Sequence, residues 1–143
     1  MTEFAFKGIL QKKGWIENVV LKTDSNGVLV SIEQGTRNTA EYCDFALPGF
    51  QNAHSHAFQY AMAGLAELHS TAEFQNDFWS WRKNMYDLAL HISPDQMENI
   101  AAMIYKEMLR NGYTHVAEFH YLHHDPSGKK YDQLSEMSER IMA

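Results

Sequence analysis

The chain has 143 residues, of which 45% are hydrophobic and 21% are charged, and its formal net charge is −6 at pH 7. These proportions are close to those of globular domains and supply enough apolar side chains for a core. The acidic balance leaves no basic patch to neutralise phosphates, so it argues against nucleic-acid binding. No run approaches the roughly 18 apolar residues of a membrane span, and Met1–Leu10 lacks the pattern of a signal peptide. Cys43 is the single cysteine, which excludes a disulfide within the chain and favours a cytoplasmic protein.

Residues 1–46 are rich in β-branched and aromatic side chains and predict β structure. Three short strands are expected, separated by turns at Lys12–Gly14 and Asp24–Gly27, over residues 4–10, 16–21 and 28–32. Three strands bury little surface by themselves. We therefore expect residues 1–46 to join a small sheet domain whose other strands lie outside the given sequence.

Residues 47–143 alternate between strand and helix signals. In chain order we expect a strand, two helical segments separated by a loop at 68–77, a long helix, a second strand and a last helix, over residues 47–56, 57–68, 78–91, 93–111, 113–121 and 133–142. This order is typical of a parallel α/β barrel or a doubly wound sheet. Because a complete barrel needs about 250 residues, only its first strands and helices are expected here.

The long helix carries the clearest local signals. Ser93 is expected at the N-cap and Pro94 at the first helical position, with Gln96 closing a capping box. Gly112 is expected to end the helix by adopting the left-handed conformation.

Two histidines close the first of these strands, in the sequence His54-Ser55-His56. Residues two apart in a strand face the same side, so both imidazoles should aim at one point, as two ligands of one metal ion must. Barrels and open α/β folds place their chemistry at this end of their strands. An isolated pair is a weak signal, and a catalytic metal site needs three or more protein ligands. The other ligands must therefore come from elsewhere.

Other polar residues near the second strand are less easily assigned. His120, His123 and His124 resemble a second metal cluster, but their spacing lacks a known ligand pattern. We expect structural roles for them, or hydrogen bonds to the ligands of a site. Glu118 lies among apolar strand residues and needs a partner that the sequence does not identify.

Three segments, Leu47–Glu67, Phe78–Arg82 and Ala117–Asp125, resemble the amidohydrolase superfamily and, within it, the formimidoylglutamate deiminase family. The His-x-His pair indicates only the superfamily. The sequences Phe-Trp-Ser-Trp-Arg and Ala-Glu-Phe-His-Tyr narrow the resemblance to the deiminases. The likeness runs over nearly the whole chain from Phe45, and more weakly before it.

The resemblance implies an α/β fold: the N-terminal part of a (β/α)8 barrel in residues 47–143, preceded by strands of a small β-sandwich domain in residues 1–46. It implies hydrolysis of N-formimidoyl-L-glutamate to N-formyl-L-glutamate and ammonia, a step of histidine degradation, by a full-length homodimer. One zinc ion would have His54 and His56 as two of its ligands.

The resemblance also implies a small-molecule dicarboxylate substrate and three residues that bind it. These are Gln59, Arg82 and Tyr121, and the planar guanidinium of Arg82 suits bidentate contact with a carboxylate. Without the resemblance, Arg82 would be read as a solvated surface charge and Tyr121 as a core aromatic. Gln59 alone would carry no signal.

The family's other metal ligands and its acid–base residues lie on later strands that this sequence lacks. We therefore expect the chain alone to lack deiminase activity and to bind metal weakly. Two alternatives stay open: a superfamily enzyme that acts on a ring such as guanine or a chlorinated triazine, and a non-catalytic remnant or interaction module.

Overall fold

The computed structural model describes residues 1–35, 41–65 and 78–143. Within it the chain divides into two compact units, Met1–Gly49 and Phe50–Ala143. The predicted loop at 68–77 lies outside the described residues, as do His69 and the end of the predicted helix 57–68.

The first unit is a mixed four-stranded sheet in the order β3-β2-β1-β4. Its strands are β1 Thr2–Gln11, β2 Gly14–Thr23, β3 Leu29–Gln34 and β4 Glu41–Ala46. The first three strands pair antiparallel, as their short turns require, whereas β4 pairs parallel with β1. Strand β4 was not predicted, because Tyr42 and Phe45 remain mostly exposed and give it no clear apolar face.

Gly8 lies directly beside two aromatic side chains of this sheet, Trp15 and Phe45. The rings of Trp15 and Phe45 meet edge to face, with centroids 5.5 Å apart. A Cβ atom at Gly8 would lie 3.2 Å from the Phe45 ring and 3.3 Å from the Trp15 ring. A larger residue at position 8 would therefore push these two rings apart.

The second unit has the predicted order of strand, helices, strand and helix. Its elements are β5 Phe50–Ser55, a 3₁₀ helix Ala57–Met62, α1 Phe78–Ala89, α2 Pro94–Arg110, β6 Tyr113–Glu118 and α3 Glu136–Met142. Strands β5 and β6 pair parallel. The hydrophobic core of this unit contains the fully buried side chains of Phe58, Met97 and Met137. No helix in the described ranges is both long and apolar enough to cross a membrane.

The predicted limits of α2 are confirmed in detail. The Ser93 hydroxyl accepts from the Gln96 backbone N–H, and the Gln96 side chain accepts from the Ser93 N–H. Gly112 follows the helix with φ of +84°. Its carbonyl accepts from the Phe50 N–H at 2.8 Å, so the end of α2 is tied directly to the start of β5.

Several elements are shorter than predicted. Strand β5 spans Phe50–Ser55 rather than 47–56, helix α1 ends at Ala89 rather than at residue 91, and the helix predicted from residue 57 is a 3₁₀ helix that ends at Met62. Strand β6 ends at Glu118 rather than Tyr121, because its partner β5 ends at Ser55 and the chain turns into the 3₁₀ helix. Helix α3 begins at Glu136 rather than Gln133, since a turn that bonds the Gln133 carbonyl to the Glu136 N–H precedes it.

Candidate metal and substrate site

The two histidines predicted to bind metal lie side by side at the carboxyl end of β5. Their Nε2 atoms are 3.0 Å apart, while Ser55 between them turns inward and is buried. Two nitrogens bound to one tetrahedral zinc at 2.0–2.1 Å would be about 3.3 Å apart. The observed spacing of His54 and His56 is therefore close to that of two ligands of one ion.

A backbone carbonyl of the neighbouring strand region fixes the ring of His56. The Nδ1 atom of His56 lies 2.8 Å from the Phe119 carbonyl oxygen. Because a carbonyl can only accept, Nδ1 of His56 is the donor in this contact, and in a neutral ring the lone pair then lies on Nε2, which faces His54. Metal-binding histidines are commonly held in this way, so the residues present fit a metal ion.

The histidine pair does not belong to a larger cluster in the part of the chain that the structure describes. There, no group of three or more His, Cys, Asp or Glu side chains is arranged to hold a metal ion. The pair can supply two ligands, and a complete catalytic site needs at least one more.

Glu118 has two partners that the sequence did not identify. Its Oε1 accepts from the Ala57 backbone N–H at 2.8 Å, and its Oε2 accepts from the Tyr105 hydroxyl at 2.9 Å. Burial, together with the hydrogen bond and charge of this carboxylate, raises the pKa of Tyr105 well above its usual range. The only signal in the sequence was a carboxylate placed among apolar strand residues.

Tyr121 lies next to the histidine pair. Its ring centroid is 5.4 Å from that of His56 and 5.6 Å from that of Phe58, and the side chain is 43% exposed. Tyr121 also lines a cavity of about 330 Å³, with Tyr86, His123 and others. The sequence did not identify the cavity or the place of Tyr86 in it. The residues that line the cavity come from α1 and from the loop after β6, which are far apart in the chain.

The other two predicted substrate-binding residues contact side chains of α1. Gln59 is half-buried in the 3₁₀ helix, and its amide nitrogen lies 3.2 Å from the Met85 sulfur. The exposed guanidinium of Arg82 lies 5.7 Å from the Trp79 ring and 5.4 Å from the Tyr86 ring. Tyr86 thus links Arg82 to the cavity that Tyr121 lines, whereas Gln59 is held against the core.

His120 contacts α3 rather than the histidine pair. Its Nε2 atom lies 2.8 Å from the Ser138 hydroxyl oxygen, and its ring centroid is 4.9 Å from that of His123. Burial, with a smaller contribution from His123, lowers the pKa of His120.

Comparisons with known proteins agree with this geometry. The model of the amidohydrolase family matches residues 45–142. The chain is 48% identical over 141 residues to a formimidoylglutamate deiminase of Pseudomonas aeruginosa, covering 96% of this chain and 30% of that protein. A solved amidohydrolase from Brucella melitensis is 44% identical with a TM-score of 0.87, over 99% of this chain and 31% of that one.

A more distant solved structure shares the fold alone. A triazine hydrolase from Arthobacter aurescens superposes with a TM-score of 0.67 at 17% identity, over 99% of this chain and 33% of that protein. The chain thus spans about a third of the length of each of these relatives. It has an amidohydrolase-like α/β fold with a small sheet, and it belongs to the amidohydrolase family.

Proposed function

We propose that this chain forms part of a zinc-dependent deiminase that hydrolyses N-formimidoyl-L-glutamate to N-formyl-L-glutamate and ammonia. The observation that carries the proposal is the pair of converging Nε2 atoms of His54 and His56, 3.0 Å apart at a strand end. The 48% identity to a formimidoylglutamate deiminase supports this choice of reaction. The remaining ligands and the acid–base residues are expected in the parts of the relatives that this chain does not match.

Among the described residues, His54 and His56 provide two ligands of the proposed metal site, and at least one further ligand must come from elsewhere. A zinc ion held by His54 and His56 would supply Lewis-acid activation of water near neutral pH. The Phe119 carbonyl retains the Nδ1 proton of His56, which keeps the Nε2 lone pair available. The reaction consumes one water, breaks the bond from the formimidoyl carbon to its imino nitrogen, and releases that nitrogen as ammonia.

The cavity that Tyr121 lines is large enough for a small dicarboxylate, and Tyr121 itself lies next to His56. Its volume of about 330 Å³ lies within the range of roughly 300–1,000 Å³ that is usual for small-molecule sites. Tyr121 and His123 offer hydrogen-bond donors in its lining. Arg82, stacked on Tyr86 at its margin, offers a planar pair of donors to a carboxylate.

A hybrid enzyme tests the proposal directly. Residues 1–143 of this chain would replace the matching segment of the Pseudomonas aeruginosa deiminase, and ammonia release from N-formimidoyl-L-glutamate would be measured. We expect the hybrid to be active, because it joins this chain to the parts of the relative that the chain does not match. The same hybrid carrying His54→Ala and His56→Ala is the matched control.

The control hybrid should lose at least about a thousandfold in rate, since a site without these two ligands cannot hold the metal that activates water. A hybrid that folds, contains zinc and releases no ammonia would contradict the proposal. Equal activity of the hybrid and its histidine control would contradict the assignment of the metal ligands.

A further inference from the structure

Glu118 accepts a hydrogen bond from a backbone N–H that has no acceptor within its own helix, the N–H of Ala57. The first N–H groups of a helix have no acceptor within that helix. His56, which precedes the 3₁₀ helix, makes no capping hydrogen bond with its side chain. Ala57 is fully buried, so water does not reach its N–H, and the acceptor is Glu118 Oε1 at 2.8 Å.

This contact fixes the backbone next to a proposed metal ligand. The Ala57 nitrogen belongs to the peptide that follows His56, so its direction sets the ψ angle of His56, which is 77°. Phe119, the residue that follows β6, holds the ring of the same histidine through Nδ1. Two consecutive residues of one strand region therefore fix the backbone and the ring of His56.

Tyr105 holds Glu118 in place from the opposite side. Its hydroxyl donates to Oε2 at 2.9 Å from helix α2, so the carboxylate spans α2 and the start of the 3₁₀ helix. With both oxygens engaged, the Glu118 side chain cannot rotate without losing a hydrogen bond. Rigid support of this kind is what a metal ligand needs from its surroundings.

We propose that Glu118 is a positioning residue for the metal centre: by binding the Ala57 N–H it keeps Nε2 of His56 directed at His54. The inference rests on the proposed function for the identity of the metal. The orientation of the His56 ring by Glu118 does not require the metal, so it is tested in the metal-free chain.

The first test compares the ring protonation of His56 in metal-free variants. Long-range ¹H–¹⁵N NMR spectra at pH 8, above the ordinary pKa of imidazole, show which ring nitrogen carries the proton. We expect a single Nδ1–H form in the unaltered chain and a mixture in Glu118→Ala. Glu118→Gln should retain the single form, because its amide oxygen still accepts from the Ala57 N–H.

Glu98→Ala is the matched structural control. It removes an ion pair between α2 and α3, in which Glu98 bonds Arg140 at 2.9 Å, and leaves Glu118 intact. We expect it to lower stability without changing the His56 ring. If Glu118→Ala does not fold, Glu118→Asp replaces it, because the shorter side chain cannot span both partners.

Zinc titration of the same variants provides the second readout. Loss of such an outer hydrogen bond weakens metal binding by about 10–100-fold, so we expect that loss in Glu118→Ala and little change in Glu118→Gln. An unchanged His56 form in Glu118→Ala and Glu118→Asp, or an equal change in Glu98→Ala, would overturn the inference. Absence of zinc binding by the unaltered chain would instead count against the proposed function, while the ring comparison still decides the role of Glu118.

Discussion

His56 is held more firmly than a side chain at a strand end usually is. The Phe119 carbonyl accepts from its ring, and the Phe119 N–H donates to the Ser55 carbonyl one residue earlier. The orientation of the His56 ring therefore depends on the pairing of β5 with β6 and not on the rotamer of His56 alone. The His-x-His spacing predicted which side chains converge, because alternation along a strand is a local property. It could not predict the Phe119 and Glu118 contacts, which join residues about sixty positions apart.

Arg82 should decide which class of substrate the enzyme accepts. In the hybrid, we expect Arg82→Met to raise KM for N-formimidoyl-L-glutamate by about 10–100-fold with a smaller change in kcat, because a hydrogen bond to a charged group contributes about 1.5–3 kcal/mol. Arg82→Lys should recover only part of this loss, since an ammonium lacks the planar pair of donors. Steady-state kinetics of ammonia release provide the measurement.

The neighbouring Lys83→Met is the control for Arg82, because Lys83 is exposed and paired with Asp87 on the same helix. It should leave KM unchanged. A KM that does not respond to Arg82→Met would contradict a dicarboxylate substrate and would favour a neutral ring.

Tyr105 should make stability fall at alkaline pH. Its pKa is raised in the folded chain, so folding favours the protonated phenol. This contribution is fully present below the ordinary pKa of tyrosine, about 10, and is lost as the pH rises above it. We expect the urea midpoint of unfolding to decline above about pH 10, and less steeply in Tyr105→Phe.

At pH 7, Tyr105→Phe should cost about 2 kcal/mol, because it leaves Glu118 Oε2 without its donor. Tyr86→Phe, at an exposed tyrosine of α1, is the control and should change stability little. Identical alkaline profiles for the unaltered chain and Tyr105→Phe would contradict this role of the hydroxyl.

At the scale of elements, the features with local causes were the ones that the sequence predicted well. The start of α2 at Ser93 and Pro94, and its end before Gly112, follow from groups within a few residues of each other. The end of β6 and the existence of β4 depend on distant partners, β5 and β1. Short strands such as β4, in which Tyr42 and Phe45 stay exposed, carry no periodic pattern strong enough to reveal that pairing.

The capping box of α2 should contribute measurably to stability. Ser93→Ala removes the acceptor of the Gln96 N–H, and loss of such a cap costs about 1 kcal/mol. Ser93→Asp should retain most of it, because aspartate also caps well. Urea unfolding followed by circular dichroism measures the difference; equal stability of the alanine and aspartate variants would contradict the contribution of the cap.

At the scale of the whole molecule, every contact described for the candidate site lies within Phe50–Ala143. The sequence predicted that the side chains of His54 and His56 converge. It also predicted the parallel α/β order of this unit. The cavity could not be predicted, because helix α1 and the loop after β6 form it together. Since the chain spans about a third of the length of its relatives, the proposed deiminase reaction also requires residues from the parts of those relatives that the chain does not match.

The most direct measurement is a zinc titration of the chain followed by the ¹⁵N signals of its eight histidines. We expect the Nε2 signals of His54 and His56 to shift together and to saturate at one zinc per chain, while the other histidines stay unchanged. His56→Ala should abolish the response of His54. Binding that begins at His123 or His124, or no response of the pair at zinc excess, would contradict a metal centre built on these two residues.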